Sequence, residues 1–262
     1  MKDYCNLKEQ LESCLSGVSG CVCVAFRDLT SDEGFSIRGG ESVPSASTIK
    51  LVIMAELLAR VHAGSMKLED TVTITEQMRT GGDGILKELA CGHTFTLKEI
   101  LTLMIIVSDN EATNILIDLL EMESINERAK AMGLSCAHLG RKMMDSEAKK
   151  LGRDNYICAA DMERILTQIY REQLIGREES RLMLDILLRQ QQSGRLQLYL
   201  PEEVAVAHKC GDLDFLENDG GIILLPAHPY VLVVLTSQMP SNKEGREVIG
   251  QISRIVYDHM RT

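Results

Sequence analysis

At 262 residues, 45% apolar and 25% charged, the chain has the balance of an ordinary globular protein, with room for one large domain or two closely packed lobes. Its formal charge of −10 argues against nucleic acid or an anionic membrane surface as partner, though not against an anionic small substrate, since a few local lysines outweigh a global field. The longest apolar runs, "LVIMA" and "LTLMIIV", are far too short to span a bilayer.

In chain order, residues 4–16 predict an amphipathic helix. "CVCVAFRDL" (21–29) and "GFSIRGGE" then read as strands of a hairpin joined by polar "TSDE". From Ser47 the pattern turns helical for about half the chain. "STIKLVIMAELLARVHAG" ends at Gly64, a C-cap residue. "TLKEILTLMIIVSDN" opens with Thr96 and Glu99 in capping-box spacing. "EATNILIDLLE", "SINERAKAMGL", "AADMERILTQIYREQ" and "EESRLMLDILLRQQ" are further amphipathic helices. After "SGRLQLYLP" the β-branched runs "VAVAHK", "GGIILLP" and "YVLVVLTSQ" follow, separated by Gly, Pro and Asn/Asp. A C-terminal helix closes the chain. Strands at both ends with helices between predict an α+β fold, an α/β/α sandwich. Its antiparallel sheet is built from residues 1–46 and 196–262, and residues 47–195 form an inserted helical lobe. A cleft between the two is the expected place for a site.

The eight cysteines show no C-x-x-C pair, and no two histidines show zinc spacing, so no metal or other cofactor is expected. Cys21 and Cys23 would share one strand face, a poor geometry for a mutual bridge. Scattered cysteines behind a charged N-terminus that is no secretory leader read as free thiols in a reducing compartment. The expectation is therefore a cytoplasmic monomer, or a periplasmic or secreted one if a leader has been removed.

"SASTIK" (45–50) places Ser47 and Lys50 three apart at a helix start, within reach of each other. The helix N-terminus there favours a developing alkoxide, and a lysine deprived of water can take the serine's proton. The spacing alone is cheap, because Ser146 and Lys149 match it too, and serine is a common N-cap. Two later stretches add weight. "VSDNEATN" puts Ser108, Asp109 and Asn110 at the end of a very apolar segment. "VAHKCGDL" puts Lys209, Cys210 and Gly211 at the end of a strand. S-D-N occurs once, 61 residues after Ser47 and 101 before Lys209.

Together these motifs resemble the S-x-x-K, S-D-N and K-T-G set of class A β-lactamases and penicillin-binding proteins, and the likeness extends over nearly the whole chain. The resemblance implies a two-lobed serine hydrolase that opens β-lactam amides, with a small acyl compound as substrate. It implies Ser47 as acylated nucleophile, Lys50 as its base and Ser108 as the proton relay to the leaving nitrogen. Asn110 would hold the substrate's side-chain amide. Lys209, Cys210 and Gly211 would bind the substrate, and the backbone N–H groups of Ser47 and Asp212 would form the oxyanion hole. Two departures matter. Cys210 stands where the family has Thr or Ser, either as a small side chain that suffices or as a thiol tuned by the neighbouring lysine. The family's R-x-E-x-x-L-N loop here reads "GRKMMDSEAKKLGRDN", with Met143 at the place of the Glu that activates the deacylating water. Glu147 is then the candidate base; the alternative is slow β-lactam deacylation, with a penicillin-binding or sensing role or an esterase or peptidase activity on another acyl donor. Arg141 and Asp154 could clasp that loop shut. A lone His208 reads as a packed or surface residue.

Overall fold

A computed structural model describes residues 2–261. The chain runs α1 (Tyr4–Leu15), β1 (Cys21–Asp28), β2 (Gly34–Ile37), β3 (Val43–Pro44), α2 (Lys50–His62), β4 (Thr71–Thr73), β5 (Thr94–Thr96), α3 (Leu97–Ile106), α4 (Asn110–Leu120), α5 (Met122–Ala131), α6 (Ser146–Lys150), β6 (Tyr156–Ile157), α7 (Ala159–Tyr170), α8 (Arg177–Leu188), β7 (Val206–Leu213), β8 (Leu216–Ile223), β9 (Tyr230–Ser237) and α9 (Asn242–Met260). Five strands form one antiparallel sheet in the order β2-β1-β9-β8-β7, with Val24 opposite Val234 and Lys209 opposite Gly220. The expected sandwich is what folds, because strand alternation splits β1 between two cores. Cys21, Cys23 and Ala25 join the core shared with α2, α3, α4 and α7. Val22, Val24 and Phe26 join the one covered by Leu7 and Leu11 of α1 and Val248, Ile249, Ile252 and Val256 of α9. With both faces covered, "CVCVAF" reads as a continuous apolar run rather than an alternating one.

Several elements differ from the expectation. The helix predicted from Ser47 begins at Lys50, and Ala46–Ile49 forms a 3-10 turn before it. β8 begins well before "GGIILLP", through "LEND", where no β-branched residue announces a strand. There, buried polar contacts replace propensity. Glu217 accepts from Arg195 and Arg246, Asp219 pairs with His208, and Asn218 donates to the carbonyls of Pro44 and Ser45. The small β4–β5 hairpin and α6 carried no strong signal. The Thr96 capping box forms as expected, each partner accepting the other's backbone N–H. All eight cysteines are free thiols, and among the described residues no helix is long and apolar enough to cross a membrane.

Candidate active site

The 3-10 turn settles how Ser47 and Lys50 meet. Three residues per turn eclipse positions i and i+3, and Nζ of Lys50 lies 2.9 Å from Oγ of Ser47. The turn is held from three sides. Ser45 N donates to Asn155 O, Asn218 reaches the carbonyls of Pro44 and Ser45, and Thr48 Oγ1 donates to Ser45 O. Ala46, at φ +47, carries the left-handed backbone strain that non-glycine residues rarely accept.

Lys50 is completely buried. Its Nζ donates to Ser108 O at 2.7 Å, Ser108 Oγ at 3.1 Å and Asn110 Oδ1 at 3.0 Å as well as to Ser47. Lys209, also completely buried, donates to the same Ser108 Oγ at 3.1 Å and to Cys210 O at 2.7 Å. Ser108 is thus a hydroxyl between two amines, held there by a left-handed backbone at φ +56. Neither lysine touches a carboxylate among the described residues. Burial, then the neighbouring charge of Lys209, pushes the Lys50 ammonium well below its usual pKa. Burial lowers Lys209 as well, against the opposing pull of Cys210 and Asp219. The resemblance asked for a lysine able to shed its proton, and burial supplies the cause.

β7 brings Lys209 and Gly211 to the Ser47 turn. A Cβ on Gly211 would stand 2.4 Å from Ser47 N, so only glycine lets the strand backbone pass this close. Cys210 projects elsewhere. Its buried thiol donates to Gln192, 3.4 Å from Oε1 and 3.6 Å from the carbonyl, and burial pushes its pKa up. Of the two readings of Cys210, the small packed side chain fits better: burial outweighs the neighbouring lysine, and the thiol faces Gln192 and does not line the pocket.

A pocket of about 340 Å³ opens above Ser47, within the range of small-molecule sites. Of the predicted residues, Ser47, Asn110 and Asp212 line it, while Lys50, Ser108, Lys209 and Gly211 are buried next to them. A more open groove of about 920 Å³ runs beside it past Cys21, Glu41 and Phe215 but contains neither Ser47 nor Asn110, so the smaller pocket is the candidate site.

The loop between α5 and β6 forms one wall. Arg141 Nε meets Asp154 Oδ1 at 2.8 Å, closing it as anticipated. Asn155 Oδ1 receives the N–H groups of Gly140 and Arg141, and Asn114 grips the backbone of Met143 at both N and O. Glu147 is a correction. Its side chain is 78% exposed, pairs with Lys150 at 2.7 Å and does not line the pocket. The first turn of α6, capped by Asp145, points it to solvent.

Sequence reasoning missed the partner of His208, which is buried behind Lys209 with Asp219 at 2.9 Å. It also passed over "RTGGDGIL", which forms the opposite rim and is pinned by the S-D-N triplet. Asp109 Oδ2 accepts from Ile85 N and Leu86 N, Asn110 N donates to Asp83 O, and Asn110 Nδ2 donates to Gly81 O. The glycine spacing was the available signal. Among the described residues two clusters of metal-ligand type lie outside the pocket, Cys21 with Cys23 and Glu41, and Cys136 with Cys158 and Asp161. Arg38 engages Glu41, and Asp161 is occupied by the N–H groups of residues 135–137.

A sequence model of the β-lactamase enzyme family matches residues 6–260, a span that includes all three motifs. A β-lactamase of Bacteroides uniformis is 26% identical over 97% of this chain and 91% of its own length. The β-lactamase solved from Sphaerobacter thermophilus superposes with a TM-score of 0.90 at 27% identity, covering 99% of this chain and 98% of that one. PBP-A superposes equally well, TM-score 0.90 at 25% identity over 98% of this chain and 97% of that one, in a point mutant solved as an acyl-enzyme complex with penicillin G. With fold, motifs and motif geometry concordant from end to end, the chain belongs to the β-lactamase enzyme family.

Proposed function

We propose that the protein is a serine hydrolase of the class A β-lactamase type, opening β-lactam amides through an acyl-Ser47 intermediate. The observation that carries this reading is the buried Lys50 amine bridging Ser47, Ser108 and Asn110. As the neutral amine, Lys50 takes the Ser47 proton while Oγ attacks the carbonyl carbon. The backbone N–H groups of Ser47 and Asp212 receive the oxyanion, a role supported by the close passage of Gly211 against the turn. The C–N bond breaks as Ser108 protonates the leaving nitrogen, and Ser108 is reprotonated by the lysines that flank it. Water then cleaves the ester, with Lys50 as the base in reach.

One observation favours a second reading. With Met143 at the wall and Glu147 in solvent, no glutamate among the described residues lines the pocket to activate a deacylating water, so the acyl-enzyme is expected to be long-lived. Intact-protein mass spectrometry with a chromogenic cephalosporin tests both. A transient adduct with steady colour release supports turnover by a base other than residue 143. A lasting adduct with a single burst supports a penicillin-binding or sensing role. Absence of both adduct and colour sinks the β-lactam reading.

A further inference from the structure

The rim opposite the 141–154 loop is built around one side chain. In "GGDG" (81–84) the glycines on either side of Asp83 are locked. Gly82, at φ +80, has no room for a Cβ, which would stand 2.4 Å from Asn110 Nδ2 and 2.9 Å from Met144 Sδ. Gly84, at φ +124, would place one 2.4 Å from Asp109 Cγ. The backbone between them is anchored as Asn110 N donates to Asp83 O. Asp83 is therefore the one side chain that this stretch presents to the pocket, from a loop fixed to the S-D-N triplet on both sides.

The other acids of the wall are engaged. Asp154 holds Arg141 at 2.8 Å, Asp212 holds Arg195 at 2.6 Å, and Asp145 caps α6. The two cations nearest in sequence are engaged as well: Lys87 has its amine at Gly82 O and Glu88, and Arg79 donates to Leu86 O, Leu89 O and Glu111. No hydrogen bond or ion pair joins the exposed Asp83 carboxylate to a described side chain, and its charge is felt at both buried lysines. The pocket thus offers a fixed, solvated anion beside Asn110, the residue placed at the substrate's side-chain amide.

We propose that Asp83 forms an ammonium subsite, so that the preferred acyl substrates carry a positively charged amino group next to the side-chain amide. An anionic group at that position is disfavoured by the same carboxylate. This rests on the acyl-Ser47 reading and names its substrate class. An exposed carboxylate with one cation predicts a modest preference of about three- to fivefold, weakened by salt.

Three penicillins that differ only at the side-chain α-carbon provide the probe: ampicillin with an ammonium, benzylpenicillin with hydrogen and carbenicillin with a carboxylate. Acylation rates by intact mass do not require turnover. The expected order is ampicillin, benzylpenicillin, carbenicillin. It should collapse in Asp83→Asn, reverse in Asp83→Lys and narrow at high ionic strength. Equal rates in the parent protein, or an order that survives Asp83→Asn, overturn the subsite alone. So does Asp83→Asn slowing all three penicillins alike, because Asp83 would then act through the lysines. If none of the three forms an adduct, the acyl-serine reading fails and the subsite with it.

Discussion

The chain contains the same four-residue pattern twice near the pocket, and the two copies have opposite surroundings. Ser47 and Lys50 stand at a 3-10 turn leading into a helix buried from Lys50 to Ala59, and Lys50 has no exposed surface. Ser146 and Lys149 open the five-residue α6 on the 141–154 loop, and both are exposed. Spacing delivers proximity in the first copy, but burial delivers the chemistry. Two amines are stripped of water around one serine, and the first loses its hold on a proton. Lys149 keeps its water. The contrast explains why S-x-x-K says little until the segment after it is known to be core.

Exchanging members between the two copies gives the largest expected effects. Ser47→Ala should abolish β-lactam adducts completely, while Ser146→Ala forms them normally. Peptide mapping of the labelled protein decides, and a label on Ser146 would break the comparison. Lys50→Ala should lower the acylation rate by about 10²- to 10⁴-fold, the usual contribution of a positioned base. Thermal unfolding must show the variant folded for that loss to count.

The pH profile sharpens the point. Acylation needs Lys50 neutral, so its rate should rise with pH through the Lys50 pKa and level off well below the ordinary lysine value of about 10.4. Lys209 is the second cause of the depression after burial. Lys209→Ala removes a positive neighbour, raises the Lys50 pKa and should move the rising limb to higher pH. A limb that stays in place would mean that burial alone sets the lysine.

Gly211→Ala tests the approach of β7 to the nucleophile turn. Its Cβ would need space 2.4 Å from Ser47 N, and crowding of this kind costs about 1–3 kcal/mol. Acylation should suffer more than stability, because the displaced groups are those proposed for the oxyanion. Equal acylation by the variant would remove Ser47 N and Asp212 N from that role.

What could be read in advance followed from periodicity and from rare motifs. The sheet strands with β-branched runs, the long amphipathic helices and the Thr96 cap were legible because each rests on local pattern. The polar half of β8 was not. Glu217, Asn218 and Asp219 read as a loop until Arg195, Arg246, His208 and the carbonyl of Pro44 are brought to them from far along the chain. The site follows the same rule. Ser47, Lys50, Ser108, Asn110 and Lys209 converge as their motifs suggested. Glu147 is close to Met143 in sequence, but the helical turn of α6 carries it out to Lys150. Asp83 escaped notice because the glycine spacing of "GGDG" announces a turn but not what the turn faces. Its position depends on Asp109 and Asn110, which lie far along the sequence.

The smallest expected effect completes the comparison. Ser146 is exposed at the first position of α6, and the N-cap of that helix is Asp145, whose carboxylate already receives Ala148 N. Ser146→Ala removes neither a cap nor a buried contact, so stability should change by less than about 0.5 kcal/mol, as for surface positions generally. Acylation should hold close to the parent rate. The variant nonetheless sits on the pocket wall, directly after the Met143–Asp145 stretch where the family's loop carries its water-activating glutamate. If Ser146→Ala lengthens the life of the acyl-enzyme without touching its formation, the hydroxyl helps to hold the deacylating water. The exposed copy of the pattern would then have a role in the second half-reaction. If both rates hold, the difference between the two copies is complete, and it is burial that separates a serine that reacts from one that does not.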